Sequence, residues 1–310
     1  MSEIAVITPS FRGDADIFSD LHRSVLEFTA PDTVHHVFVP ESDRSLFAEH
    51  EGPRCRVWTS REILPRRYLR IGQADSYVNA RRPWPPVRGW ITQQAIKIAA
   101  AAQLDADVVL IADSDIVLVR PVTAARFRTD GRRSLHRVEK GVTVDMERHV
   151  VWHRTARRLF GLPPQSLPLP DYVSSFNFWE PAAVGAMQRR ISDTVGGNWL
   201  DAFTGQVHIS EFILYGVFVD EVLGRSGTRL PEDTTSCHNT WQRTPLDHDG
   251  AVDFASQLGP DAVAMMISAK SRTPYEIRQV AIRRCAEILQ AAGAGGPAQS
   301  LAAEPAVSEP

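Results

Sequence analysis

Short apolar runs alternate with amphipathic stretches through the first third of the chain, and this alternation constrains the fold more than any other feature. The predicted strands are IAVIT at 4–8, HHVFVP at 35–40, RVWT at 56–59 and VVLIA at 108–112. Helices are predicted over 14–29, where apolar residues recur at helical spacing, and over 89–104. Strands that alternate with helices are typical of βα units, so we expect an α/β fold with a mainly parallel central sheet flanked by helices.

The second half of the chain is less regular. We expect strands at 134–138, 175–180 and 262–268, and helices at 146–160, 182–194, 209–224 and 274–292. Residues 60–88 are rich in arginine, proline and aromatic residues without a clean period, which predicts a long ordered loop with a functional role. Residues 293–310 are small and proline-rich, and we expect them to be disordered.

Composition and charge exclude several classes of function. The 310 residues contain 34 Lys and Arg against 37 Asp and Glu, a net charge of -3, which gives no global field for bulk nucleic-acid binding. No apolar run reaches the roughly 18 residues of a membrane span, and the first residues do not have the pattern of a signal peptide. Cys55, Cys237 and Cys285 are too few for a disulfide framework, so we expect a reducing, cytoplasmic compartment.

The sharpest chemical signal is Asp113-Ser114-Asp115, which directly follows the predicted strand VVLIA. Alternation along a strand places Asp113 and Asp115 on the same side, where the two carboxylates repel each other unless a cation is present. Hard oxygen ligands select Mg²⁺ or Mn²⁺, and these ions keep open positions for phosphate groups. The motif therefore predicts a nucleotide-diphosphate site. The plain alternative is a pair of acids that ends a strand and caps a turn.

The residues around this motif resemble those of the GT-A glycosyltransferases. The helix GWITQQAIK precedes the motif and IVLVRPV follows it. The segments ITPSFRGD at 7–14, FVPESD at 38–43 and HISEFILYG at 208–216 occur in the same order in a group of bacterial glycosyltransferase-like proteins. The resemblance covers residues 4–290 and implies a GT-A type, Rossmann-like fold with a smaller acceptor-side subregion. Within one domain it implies a nucleotide-sugar-binding half over 1–120 and an acceptor-binding, catalytic half over 121–292.

The resemblance also implies which residues bind the donor and the metal. Asp115 would be the direct ligand of Mn²⁺ or Mg²⁺, and Asp113 would contact the ribose or reach the metal through water. The expected donor-binding residues are Thr8, Pro9, Ser10, Asp43, Gln93, Gln94, Lys97, Asp113, Ser114 and Lys270. These enzymes often take a third metal ligand, a His, from a C-terminal segment, but MMISAKSRTPYE has none. The third metal ligand is therefore His238, His248 or water, or it is absent.

Transfer with inversion needs a base that takes the proton of the acceptor hydroxyl. Glu211 is the first candidate, and its alternative is a first-turn acid that opposes the helix dipole. Asp171 is the second candidate, and its alternative is an exposed turn acid after Pro170.

The sequence also predicts the positions of three tryptophans and two histidines. Trp84 and Trp241 could stack on a pyranose ring, whereas Trp179 is expected in the core. His149 and His153 are expected on a partly exposed helix face rather than at a metal site.

We therefore expect a metal-dependent glycosyltransferase that moves a sugar from a nucleotide-diphosphate donor to a hydroxyl of a small molecule or glycan, with inversion. UDP is the expected nucleotide only because it is frequent in the family that the sequence resembles. A catalytically silent protein that binds a sugar nucleotide is the first alternative. The second is a phosphohydrolase with Asp113 as nucleophile, but three predicted strands precede this motif and no later strand ends in two acids.

Overall fold

The computed structural model describes residues 2–71, 76–129, 132–133, 135–225 and 236–293 of the chain. Its strands are β1 (Ser2–Pro9), β2 (Val34–Val39), β3 (Cys55–Thr59), β4 (Tyr68–Arg70), β5 (Ser76–Asn79), β6 (Arg82–Arg88), β7 (Ala106–Ala112), β8 (Ile116–Leu118), β9 (Arg128–Thr129), β10 (Arg132–Arg133), β11 (Val138–Val142), β12 (Leu169–Asp171), β13 (Phe176–Trp179), β14 (Cys237–Thr240) and β15 (Ala264–Ile267).

The α-helices of the same residues are α1 (Ala15–Phe28), α2 (Arg44–Phe47), α3 (Ser60–Ile63), α4 (Gly89–Ala101), α5 (Glu147–Phe160), α6 (Pro181–Val195), α7 (Trp199–Thr204), α8 (Glu211–Val217), α9 (His248–Ser256) and α10 (Tyr275–Ala291). Helix α8 continues as a π-helical stretch over Phe218–Val222. No helix among the described residues is both long and apolar enough to cross a bilayer.

The described residues form two compact units. The first unit comprises the described residues within Met1–Ala15, Ala30–Asp113 and Thr123–Asp233. The second takes those within Asp16–Thr29, Ser114–Val122 and Thr234–Pro310.

The first unit is built on a five-stranded sheet in the order β13-β7-β1-β2-β3. Strands β7, β1, β2 and β3 are parallel, and β13 runs antiparallel at one edge. Helix α4 packs beside β1 and also contacts α6, α7 and α8. The α/β fold with a mainly parallel central sheet is therefore confirmed.

Helix α4 is buried on nearly every side, which matches its sequence GWITQQAIKIAAA. A helix that is apolar around most of its circumference belongs in the interior. The polar residues Thr92, Gln94 and Lys97 are therefore carried into the core of the first unit, where each has at most 5% of its surface exposed. Polar groups at such depth need partners, and those partners form part of the site described below.

The second unit contains a separate three-stranded sheet in the order β14-β15-β8. Its apolar core joins Val117 and Met265 of this sheet to Phe254 of α9 and to Ile282 and Cys285 of α10. The sequence did not predict β8, β14 or α9, because β8 has only three residues, and β14 and α9 are short and contain many polar residues.

The predicted loop over 60–88 is wrong. These residues contain α3 and an antiparallel sheet in the order β4-β5-β6. Strand β6 has the sequence RPWPPVR, whose three prolines hide the alternation of a strand. It lies at the edge of its sheet, the position where a strand tolerates proline.

Other boundaries differ by smaller amounts. The strand predicted at 134–138 is misplaced, because β11 covers Val138–Val142 and shares only Val138 with the prediction. The helix predicted at 209–224 is divided between α8 and the π-helical stretch. Helix α7 was not predicted. The functional division at residue 120 stays a prediction, and residues 294–310 of the expected disordered tail lie outside the described residues.

Candidate functional site

A cavity of about 480 Å³ lies at the carboxyl ends of β1 and β2 in the first unit. Pro9 and Ser10 at the end of β1, Asp43 after β2 and Gln93 of α4 are among its lining residues. All four were predicted donor-binding residues. Ligands of open α/β sheets bind at this edge, and the volume falls in the range of small-molecule sites. We call this space the donor cavity.

Asp43 is the buried charge of the donor cavity, with 3% of its surface exposed. It accepts hydrogen bonds from the backbone N–H of Arg12 at 2.8 Å, from Arg12 Nε at 2.9 Å and from Ser42 Oγ at 2.8 Å. Burial alone would raise the pKa of Asp43, but these hydrogen bonds and the Arg12 charge outweigh it and lower that pKa. The carboxylate therefore stays ionised and can accept a further hydrogen bond from a ligand.

The sequence analysis missed several residues that line the donor cavity. Arg12 follows β1 in the quoted segment ITPSFRGD, so the turn after the first strand was the available signal. Arg70 and Tyr77 come from β4 and β5, and the interpretation of 60–88 as a loop hid them. Phe11 is another lining residue. Together they give the cavity two guanidinium groups and aromatic surface.

A buried ion cluster joins α4, the end of β7 and the start of α8. Lys97 Nζ lies 2.7 Å from Asp113 Oδ1 and 3.1 Å from Glu211 Oε1. The side chains of Lys97 and Glu211 are 6% and 5% exposed, whereas that of Asp113 is 46% exposed. Asp113 therefore has one oxygen held by a buried cation and a side chain that still reaches solvent.

The protonation of the cluster follows from its geometry. Burial alone would lower the pKa of Lys97, but the carboxylates of Asp113 and Glu211 outweigh it and raise that pKa. Burial raises the pKa of Glu211, and the nearby Lys97 only partly offsets this rise. Lys97 therefore remains an ammonium ion that two carboxylates share.

Local hydrogen bonds fix Glu211 in this cluster. Gln94 Oε1 accepts the backbone N–H of Glu211 at 2.9 Å, and Gln94 Nε2 donates to the Trp90 carbonyl at 3.2 Å. Ser210 caps α8, since its Oγ accepts the N–H of Ile213 at 3.5 Å. Thr8, another predicted donor residue, is buried and bonds through Oγ1 to His35 Nε2 at 2.8 Å.

Asp171 is not the exposed turn acid that its sequence context suggested. It ends β12, opposite Val138 of β11, and its side chain is 16% exposed. Its Oδ2 lies 3.2 Å from His149 Nδ1, and its Oδ1 accepts the N–H of Val173 at 3.1 Å. Burial alone would raise the pKa of Asp171, but His149 and the Val173 N–H outweigh it and lower that pKa.

The expectation of an exposed helix face is wrong for His153. Only 1% of its surface is exposed, and its Nε2–H donates to the Pro170 carbonyl at 2.8 Å. His149 is half-buried.

The remaining predicted site residues belong to the second unit. Asp115 Oδ2 accepts the N–H of Ala269 at 2.8 Å, Ser114 is buried and Lys270 is exposed. His238 donates through Nε2 to the Phe254 carbonyl at 2.7 Å, and His248 lies at the start of α9. Their roles toward a donor or a metal stay predictions.

One of the three tryptophans with predicted positions is buried and the other two are exposed. Trp179 has 1% of its surface exposed and belongs to the core, as expected, whereas Trp84 is 79% and Trp241 55% exposed. Stacking of the exposed pair on a sugar stays a prediction.

A divalent cation requires oxygen ligands with free lone pairs. Within the part of the chain that the structure describes, no three His, Cys, Asp or Glu side chains cluster as a protein-only metal site. The partly exposed carboxylate of Asp113 does have the chemistry of one such ligand. The residues therefore fit an ion that takes its other ligands from a bound diphosphate and water.

Residues 4–257 match the model of a family described as a family of unknown function, DUF6492. The chain belongs to that family. No curated protein matches the chain.

Solved glycosyltransferase structures resemble the chain in fold at low identity. The galactosyltransferase LgtC, in complex with donor and acceptor sugar analogues, is 14% identical, with 93% of this chain and 95% of that chain covered and a TM-score of 0.45. Mouse xyloside xylosyltransferase 1 is 11% identical, with 87% and 99% covered and a TM-score of 0.42. The bifunctional glycosyltransferase WbbM is 10% identical, with 86% and 45% covered and a TM-score of 0.42.

Proposed function

We propose that this member of the family is a metal-dependent glycosyltransferase that holds a nucleoside diphosphate sugar in the donor cavity. The observation that carries the proposal is the convergence of Pro9, Ser10, Asp43 and Gln93 on one cavity. Asp113 follows β7, which runs parallel to β1, so it leaves the sheet at the same edge. This placement supports the nucleotide site that the sequence motifs predict.

The lining of the donor cavity suits a nucleotide. The Asp43 carboxylate can accept hydrogen bonds from a ribose hydroxyl or a base N–H, and Phe11 and Tyr77 offer aromatic surface for the base. Arg12 and Arg70 offer guanidinium groups to phosphate oxygens. UDP is our first choice of nucleotide, on the sequence resemblance alone.

Asp113 is the residue of the first unit that would hold Mn²⁺ or Mg²⁺. Such an ion neutralises the diphosphate and so makes it a better leaving group. Lys97 holds one oxygen of Asp113 and thereby orients the carboxylate toward a ligand. The role of Asp115 as direct metal ligand remains a proposal from the resemblance.

Glu211 has two possible roles in this reaction. Its raised pKa suits a base, which was the role expected from the sequence. Its burial and its contact with Lys97 Nζ favour a positioning role, in which it orients Lys97 and through it Asp113. We propose the positioning role for Glu211. Asp171, which lies beside His149, is then the candidate for the base.

The catalytically silent binding protein is the alternative function, since the buried Glu211 does not supply an accessible base. Turnover separates the two functions, because both would bind the donor. We expect slow hydrolysis of a UDP-sugar that requires Mn²⁺ and falls by at least about 10²-fold in Asp113→Asn. Asp107→Asn is the matched control, since Asp107 is an exposed acid near the start of the same strand.

The outcomes of this assay assign the function. A Mn²⁺-dependent rate that survives in Asp107→Asn and is lost in Asp113→Asn supports the enzyme. Donor binding without any turnover in the wild type would contradict the enzymatic function and support the catalytically silent binding protein.

A further inference from the structure

The sheet formed by β4, β5 and β6 and its flanking residues expose three large apolar side chains. We call residues 61–71 and 76–88 the arginine-rich sheet. Trp84 has 79% of its surface exposed, Leu69 54% and Ile71 39%. Leu69 pairs with Val78 on one face, whereas Arg70 pairs with Tyr77 on the opposite face, which lines the donor cavity. The exposed apolar side chains are therefore unused by the cavity.

The same segment is strongly basic in an acidic protein. Residues 61–88 contain the arginines Arg61, Arg66, Arg67, Arg70, Arg81, Arg82 and Arg88. Their only acidic residues are Glu62 and Asp75, and from totals of 34 and 37 this leaves 27 Lys and Arg against 35 Asp and Glu elsewhere. Seven arginines against two acids give this segment a net charge of +5, whereas 27 Lys and Arg against 35 Asp and Glu give the rest of the chain -8.

Part of this charge is available to a partner. Arg67 is ion-paired with Asp201 at 3.0 Å, and Arg70 donates to Ser42 Oγ at 3.0 Å. Arg61, Arg66 and Arg82 are exposed. The side chain of Arg81 is 71% exposed and lies 3.7 Å from Asp201. This surface combines exposed guanidinium groups with the exposed indole of Trp84.

We propose that the arginine-rich sheet docks on the surface of an anionic lipid bilayer. Guanidinium groups attract anionic headgroups, each basic residue near the surface contributing on the order of 1 kcal/mol. An indole prefers the depth of the headgroups, where its apolar ring and its N–H are both accommodated. A soluble polyanion would match the arginines but would leave Trp84 and Leu69 in water, so the apolar component favours a bilayer. The docking is peripheral and reversible.

Docking would hold the donor cavity within one sheet thickness of the bilayer, because Arg70 and Tyr77 line the cavity from the opposite face of the same small sheet. If the chain is a glycosyltransferase, the acceptor hydroxyl is then carried by a lipid or by a glycan held at the membrane. This consequence rests on the proposed function, whereas the docking itself does not.

Sedimentation of the full chain with vesicles tests the docking without any measurement of turnover. We expect the chain to bind phosphatidylcholine vesicles that contain about 30% phosphatidylglycerol and to leave them as NaCl rises from about 0.05 to 0.5 M. Pure phosphatidylcholine vesicles should bind at least about tenfold less protein.

A pair of double variants locates the docking surface. Trp84→Ser with Arg66→Ser should lower partitioning onto the anionic vesicles at least about tenfold. Trp241→Ser with Arg243→Ser removes the same side chains from exposed positions of the second unit and should leave partitioning unchanged. Quenching of tryptophan fluorescence by brominated lipids should be lost in the first double variant only.

Three results would overturn the proposal. They are equal binding to neutral and anionic vesicles, equal losses in the two double variants, and binding to immobilised polyglutamate with none to vesicles. The last would make the partner an acidic polymer. Unchanged melting temperatures of the variants confirm that their surfaces, not their folds, were altered.

Discussion

At the scale of the residue, the ion cluster of Lys97, Asp113 and Glu211 is the feature on which the site depends. The sequence analysis named Lys97 as a donor-binding residue, Asp113 as part of the acidic motif and Glu211 as the first candidate for the base. It did not predict their contact, because Lys97 and Glu211 are 114 positions apart and only the packing of α4 against α8 joins them. Local motifs predict which residues carry charge, whereas tertiary packing decides which charges meet.

Removal of Lys97 should destabilise the chain strongly. Lys97→Met leaves Glu211 as a buried carboxylate without its cation, which should cost about 3–5 kcal/mol of unfolding free energy. Lys97→Met with Glu211→Gln removes both charges and should recover much of that loss. Urea denaturation measures the three free energies. Lys270→Met is the control, since an exposed lysine should contribute within about 0.5 kcal/mol.

A double variant as unstable as the sum of the two single variants would show that Lys97 and Glu211 are energetically independent. The positioning role proposed for Glu211 would then lose its basis.

At the scale of the element, the short helix α8 is held by a close contact with the end of β12. A Cβ built on Gly216 would lie 2.1 Å from Cγ of Tyr172, so only glycine allows this approach. Tyr172 has 1% of its surface exposed and donates through its hydroxyl to Asp220 at 2.6 Å. The position of Glu211 at the start of α8 therefore depends on a glycine at its other end.

Two Gly→Ala substitutions in helices should have opposite signs. Gly216→Ala forces α8 away from Tyr172 and should cost about 1–3 kcal/mol or more. Gly185→Ala in α6 meets only the end of the flexible Arg189 side chain, at 3.6 Å, and should stabilise the chain by about 0.5–1 kcal/mol. Thermal unfolding compares the two. Equal effects would show that the Tyr172 contact does not constrain α8.

The elements of the parallel sheet were predictable and those of the small sheets were not. Strands β1 and β7 contain continuous apolar runs, because an inner parallel strand is covered on both faces, and β2 and the edge strand β3 are short runs rich in β-branched and aromatic residues. Strand β6 is exposed at five of its seven residues and contains three prolines, and β8 has only three residues. Such segments take their structure from neighbouring strands rather than from their own pattern.

At the scale of the whole molecule, the chain forms two compact units that interleave along the sequence. The second unit takes Asp16–Thr29 and Ser114–Val122 from within the sequence of the first. No change in composition marks those boundaries, so the sequence analysis could not place them. The donor cavity was predicted in part, because its residues follow strand ends, where the sequence marks the site most clearly.

The central claim is that the donor cavity binds a nucleoside diphosphate, and a thermal-shift panel tests it most directly. With Mn²⁺ present, one of UDP, GDP, ADP, CDP or TDP should raise the melting temperature, since saturation at about 100 Kd stabilises the native state by about 2.7 kcal/mol. Asp43→Asn should weaken that nucleotide at least about tenfold, because the buried acceptor loses its charge. A panel in which no nucleotide raises the melting temperature of the wild type with Mn²⁺ would contradict the account.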